Sequence, residues 1–380
     1  MQPMVTDLTR RALLKQALGT AILLPAAGIL SACASADLTK GHLTRGQSTG
    51  TETGDRIIGC SRTADGRYAV VVADSHGRPI HQIALPERGH GVAIQPGGAL
   101  AVAFARRPGA YMQAFYPATG VGLPIRRADQ NRHYYGHGAF SADGRYLFAT
   151  EGVSTTSEGV IGVYDTTAGL QKVTEYTGFG IGPHEVVLAD PETLAIGVGG
   201  VHTLGREPLN LDTMQPALVY LDIQSGKVVE QAVLSDKRLS IRHLAVTDTG
   251  DIACGQQYRG QPEQIAPLIH LHTRGGTLRP LLADDEDWLR FNHYIASIAS
   301  LDGYLLATSP RGNCYGIWRE ETGELVDLRP LTDASGVAVS EGQWLVGSGA
   351  GKILTRTPRD SGHVEQSAVM WDNHWNLLFS

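Results

Sequence analysis

Residues 134–151 read YYGHGAFSADGRYLFATE, and the way this stretch is read decides the fold. His137, bracketed by glycines, heads an apolar segment; Ala142-Asp143-Gly144 then supplies a turn and a second apolar run follows. That pattern is one β-hairpin. It recurs: RGHGVAIQPGGALAVAFARR begins at Arg88 and GPHEVVLADPETLAIGVGG at Gly182, which sets His90, His137 and His184 at intervals of 47 and 47 residues. IRHLAVTDTGDIACGQQ puts His243 in the same frame, and NHYIASIASLDGYLLATSP offers His293. DASGVAVSEGQWLVGSG, from Asp333, keeps the hairpin without the histidine.

The second half of each unit repeats too. FYPATGVGLP, VYDTTAGLQKV, YLDIQSGKVVE, LHTRGGTLRP and WREETGELVDL each carry a strand into a Gly-ended turn and out again. Four antiparallel strands per unit make a propeller blade, and two-residue alternation excludes helical solenoids. The first segment, DRIIGCSRTADGRYAVVVADSHGRPIHQIALP, holds about three strands, while WDNHWNLLFS at the C-terminus places His374 at the head of a short apolar run. The expectation is an all-β, seven-bladed β-propeller closed by pairing of the N- and C-terminal strands within one blade.

Composition agrees with this. The chain has 380 residues, 46 of them glycine, and a formal charge of −6, which is too mild for a nucleic-acid footprint. The N-terminal TRRALLKQALGTAILLPAAGILSAC resembles a twin-arginine export signal, with Arg10 and Arg11 as the pair. Leu30 to Cys33 resembles a lipobox, with Cys33 the lipidated residue and Ala34 after it fitting outer-membrane sorting; cleavage after Ala34-Ser35-Ala36 is the competing reading. The apolar run is short for a membrane span. The organisation expected is export signal, lipobox and short linker over 1–36, linker over 37–54, and one propeller domain over 55–380. The protein is expected in the periplasm, touching a membrane through its lipid anchor only. Cys60, Cys254 and Cys314 have no CxxC spacing; one disulfide with an odd thiol, or three buried thiols, are both compatible with the sequence.

Equal phase in successive blades brings the histidines together. His90, His137, His184, His243, His293 and His374 are expected as an incomplete ring at one channel mouth, the seventh place falling near Asp333 to Ser335. The same face should carry Arg106, Arg107, Glu151, Arg206, Arg259 and Arg311, with Arg242 beside His243. Imidazoles ringed by guanidiniums suit anions or metal chelates. Glu185 and Asp333 are the acidic candidates beside a metal.

The motifs RGHG, YGHGAFSADGR, GPHE, IRHL, PRG and the closing WDNH are together similar to bacterial exported propellers of domain of unknown function family 1513. The resemblance implies a seven-bladed propeller, twin-arginine export, and a setting among periplasmic iron-handling proteins as partners. A longer fourth blade around HTLGREPLNLDTMQP departs from the family pattern. Three roles stay open for the histidines: blade-tying hydrogen bonds, with Asp165 and Asp222 as partners, transition-metal ligation by iron, copper or zinc, or contact with an organic anion. The corresponding functions are a scaffold for protein partners, a ligand-binding protein, and a metal-dependent hydrolase or oxidoreductase.

Overall fold

In the computed structural model, which describes residues 54–63 and 65–379, each repeat unit becomes one antiparallel sheet. The export pair Arg10 and Arg11, the lipobox Cys33 and the linker up to residue 53 lie outside the described residues. Blade 1 orders Pro79–Leu85, Tyr68–Asp74, Arg56–Arg62 and, innermost, Met370–Leu378. The innermost strands of blades 2 to 7 are Gly89–Ile94, Arg132–Phe140, Pro183–Asp190, Leu239–Val246, Ser297–Leu301 and Ala334–Ser340. Seven sheets around an axis make the propeller.

The period-two side-chain alternation of a strand feeds two cores at once. In blade 1, Val70 and Val72 pack with Val92, Ala103 and Phe115 of blade 2, while Ala69, Val71 and Ala73 pack with Leu345 and Ile353 of blade 7. Middle strands are therefore apolar on both faces, as in Ala101–Ala105, and the outermost are mostly exposed, as in Gln171–Tyr176. Cys60, Cys254 and Cys314 are free and buried, three small residues in these cores, and burial pushes their thiols up.

Two insertions break the regularity. Blade 4 carries the miniature hairpin Thr203–Leu204 and Glu207–Pro208 in its long second connection. Between blades 5 and 6 lies the short helix Asp285–Arg290, whose Trp288 stacks on Trp318 at 5.5 Å.

Closure follows the expected path. Met370–Leu378 pairs antiparallel with Arg56–Arg62, Ile57 opposite Leu377 and Gly59 opposite Trp375. Trp371 and Trp375 are buried between blades 7 and 1. Removing Trp371 to Ser380 exposes the edge of Arg56–Arg62 and empties that core, so urea unfolding is expected to show a loss of several kcal/mol or no folded protein. Trp375→Ala alone should cost about 3–5 kcal/mol. An unchanged urea midpoint in either variant would contradict closure by this strand.

Candidate functional site

Five imidazoles meet on the propeller axis. His90, His137, His184, His243 and His374 come from the inner strands of blades 2, 3, 4, 5 and 1, and each is between 2% and 8% exposed. Ring centroids lie 4.8 Å apart for His90 and His137, 4.8 Å for His137 and His184, 4.9 Å for His184 and His243, and 4.5 Å for His243 and His374. His374 and His90 close the circle at 4.5 Å. The histidines thus form a packed layer inside the channel, deeper than the mouth position expected from the repeat.

Local backbone explains how so many rings fit. Pairing of the inner strand with its neighbour breaks register between Gly89 and Val92, Pro183 and Glu185, and Ile241 and His243, and also opposite Ala149/Glu151 in blade 3 and Gly59/Ser61 in blade 1. Each break is a bulge that re-aims side chains toward the axis. The glycines around His137 have the same cause. Gly136 has φ +107°, and a Cβ there would sit 2.6 Å from Cδ2 of His90. A Cβ on Gly91 would sit 2.6 Å from the Gly136 carbonyl oxygen. The glycines are the space in which neighbouring blades bring their imidazoles together.

His293 is not in the layer. It follows the short helix, has φ +56°, and places Nε2 2.8 Å from the Gln264 carbonyl oxygen and its ring 5.1 Å from Tyr258. The inserted helix consumes the spacing that the repeat assigns to His293, and the blade 6 inner strand starts four residues later with Ser297 opposite Thr308. Ser297 and, in blade 7, Ser335 fill the two inner places that lack histidine. Asp333 is also displaced: a left-handed turn at φ +51° lays its carboxylate against Gly349, in a separate cleft with Arg88 and Asp372. Glu151 lies within blade 3 rather than at the mouth, accepting hydrogen bonds from Tyr164 Oη at 2.5 Å and Lys172 Nζ at 2.8 Å.

Glu185 does belong to the layer. Its carboxylate accepts the Leu244 N–H at 2.9 Å and lies 3.5 Å from His137 Nδ1 and 3.3 Å from His243 Nδ1. Among the described residues the opposite nitrogen of His137, Nε2, has no hydrogen-bond partner, and neither have His90 Nδ1, which lies 4.0 Å from Asp372 Oδ1, His184 Nδ1 and His374 Nε2. His243 Nδ1 and Glu185 join blades 5 and 4, and elsewhere blade-tying is done by other groups. The Thr150 hydroxyl reaches the carbonyls of His137 at 3.0 Å and His184 at 3.1 Å, and Ser297 Oγ accepts the Val337 N–H at 3.2 Å. Asp165 and Asp222 bind the turn residues Thr167 and Ser225 and do not meet the histidines. Among the described residues, two trios could hold an ion, His90/His137/His184 and His137/His243/His374, each with donor atoms within 4.8 Å of one another; His137 belongs to both.

The layer divides the channel. One side is a cavity of about 350 Å³ that includes His137, Glu185, His243, His374 and Ser297 in its walls. The other is a cavity of about 210 Å³ at which Arg106, Arg107, Arg206, Arg242, Arg259 and Arg311 converge, with His90 and His184 as its floor. Sequence reasoning placed these arginines on one face; it missed Ser297, Tyr135 and Tyr294, whose only signal is adjacency to the repeat.

Burial keeps the imidazoles neutral. It pushes His137 down to about 4 and His243 to about 3, and His90, His184 and His374 well below the usual histidine range. The unfolded chain protonates near pH 6.5, so between there and the folded values it binds more protons than the native state. Stability of metal-free protein should be full above about pH 6.5 and fall as the solution is acidified, by on the order of 3 kcal/mol at pH 4 from His137 alone. Urea unfolding across that range checks this; a flat profile would contradict neutral imidazoles.

Fold and channel define a seven-bladed β-propeller with an imidazole-packed axis and an arginine-lined cavity beside it. The chain belongs to the family described as Protein of unknown function (DUF1513), whose model matches residues 83–378, from the third strand of blade 1 to the closing strand. Among solved structures it is similar to hydrazine synthase of Kuenenia stuttgartiensis, at 18% identity and a TM-score of 0.56, covering 86% of this chain and 99% of that one. It is also similar to a chain of the mitotic checkpoint complex, at 11% identity and a TM-score of 0.55, covering 90% and 89%. Such identities carry the fold alone. No curated protein matches the sequence.

Proposed function

We propose that the chain is an exported, non-enzymatic ligand-binding propeller that holds a transition-metal ion among its channel imidazoles. The observation that carries this reading is the set of four buried imidazole nitrogens without hydrogen-bond partners, gathered around His137, whose other nitrogen faces Glu185. Neutral imidazole backed by a carboxylate is the arrangement in which histidine ligates metals. Donor type favours iron, copper or zinc over calcium or magnesium. The family resemblance implies a setting beside periplasmic iron-handling proteins, which favours iron as the metal and such proteins as partners.

Elemental analysis of protein matured in the periplasm is expected to find bound metal, and His137→Ala, which removes a donor from both trios, should lower affinity by about tenfold or more. A variant that folds and keeps wild-type metal content would overturn the reading. Arg10-Arg11 and Leu30 to Cys33 support export and a lipid anchor, with Ala34 favouring the outer membrane. Cys33→Ala should move the protein from the membrane to the soluble periplasmic fraction. Absence of fatty-acid labelling on the wild type would leave simple cleavage instead.

A further inference from the structure

The 210 Å³ cavity above the imidazole layer is lined by positive charge that no lining carboxylate offsets among the described residues, Asp372 acting on Arg106 from outside it. Six guanidiniums reach it from four separate places: Arg106 and Arg107 after the second strand of blade 2, Arg206 from the blade 4 insertion, Arg242 and Arg259 from blade 5, and Arg311 from blade 6. Among the described residues, no aspartate or glutamate lines the cavity. The hydrogen bonds that these arginines do make go to neutral oxygens: Arg107 to Thr203 Oγ1 at 3.4 Å, Arg206 to the Arg107 carbonyl at 3.5 Å, and Arg259 to Gln257 Oε1 at 3.0 Å. Arg311 covers the Tyr294 ring at 4.4 Å, which occupies a face of the guanidinium and leaves its N–H edge free.

Arg242 is the sharpest case. It is 2% exposed, and its Nε and Nη2 have no partner. Arg259 Nε and Tyr135 Oη, in the same lining, are also buried without partners. The guanidiniums act on one another with like charge, Arg242 against Arg259 and Arg107, and Arg259 against Arg311. Arg242 is buried and Arg106, Arg107 and Arg259 are half-buried, and cations taken from water in this way are costly unless an anion completes them. The planar fork of guanidinium matches carboxylate and phosphate oxygens two at a time. A cavity of about 210 Å³ suits a compact molecule.

We propose that this cavity binds a compact polyanion with at least two oxyanion groups, carboxylate or phosphate, and that Arg242 is its innermost contact. The site goes beyond the metal reading and does not depend on it, because the arginines lie outside both histidine trios. The two ligand sources differ in shape, which a titration can separate.

Calorimetric titration should use full-length mature protein freed of metal on a chelating resin, since a soluble chelator is itself a polyanion. The probes are citrate and pyrophosphate, with sulfate as the single-group control. We expect one equivalent of citrate or pyrophosphate to bind at least tenfold more tightly than sulfate, and the affinity to weaken with added sodium chloride. Tighter citrate identifies an organic acid as the source, and tighter pyrophosphate a phosphorylated compound. Arg242→Met and Arg259→Gln should each weaken binding by about tenfold to a hundredfold, the value of a charge-assisted hydrogen bond. Arg242→Met also removes an unpaired buried charge, so the ligand-free variant should melt no lower than the wild type. Should Arg242→Met fail to fold, the half-buried Arg259→Gln carries the test. No heat from either polyanion, an affinity no better than that for sulfate, or undiminished binding in the folded variants would overturn the proposal. Binding of citrate or pyrophosphate by protein that takes up no metal would leave it intact.

Discussion

The antiparallel ladder between Met370–Leu378 and Arg56–Arg62 is the interaction on which the rest of the molecule depends. Each blade buries its faces only against two neighbours, so a ring with one blade missing its innermost strand would leave an edge and two half-covered cores. The ladder removes that edge with residues from opposite ends of the domain. It also inserts His374 into the axis, 4.5 Å from His90, 4.7 Å from His137 and 4.5 Å from His243 by ring centroid. Just before it, Asn373 donates to Tyr294 Oη at 2.9 Å, and Asp372 takes Arg88 at 2.6 Å. Closing the sheet and completing the centre are therefore one event.

What the closed ring encloses is polarised. Neutral imidazoles separate a cavity of guanidiniums from one that holds the Glu185 carboxyl, which burial pushes up and the adjacent His137 pulls back. The fold does not need this arrangement for cohesion. Hydroxyls of Thr150, Ser297 and Thr308 join adjacent inner strands, and Asn376 donates to the Val92 carbonyl, so among the described residues an imidazole contributes to this tying only where His243 Nδ1 meets Glu185. Four buried imidazole nitrogens without a hydrogen bond, beside cations that pair with no carboxylate in the lining, are expensive to keep unless ligands use them.

Blade number, closure and the face that carries the arginines were legible in the chain because a propeller repeats one hairpin in constant phase. Strand periodicity and constant spacing turn the sequence directly into positions around an axis, which is why His90, His137, His184, His243 and His374 could be picked out together. His293 fits the motif and still lies outside, since a helix of six residues between blades 5 and 6 shifts the strand start to Ser297 and motif matching has no means to count that shift. Asp333 likewise has the right neighbourhood and the wrong backbone turn.

By itself, then, the sequence determined the architecture and which side chains share a level of the channel. Only the tertiary structure decided how deep they lie and where each one points. Arg242 and His243 are neighbours on one strand, and simple alternation would send them to opposite faces. A register break between Ile241 and His243 lets one serve the arginine cavity and the other the imidazole layer. Bulges and loop paths of this kind depend on contacts between residues far apart in the chain, so no local pattern of residues announces them.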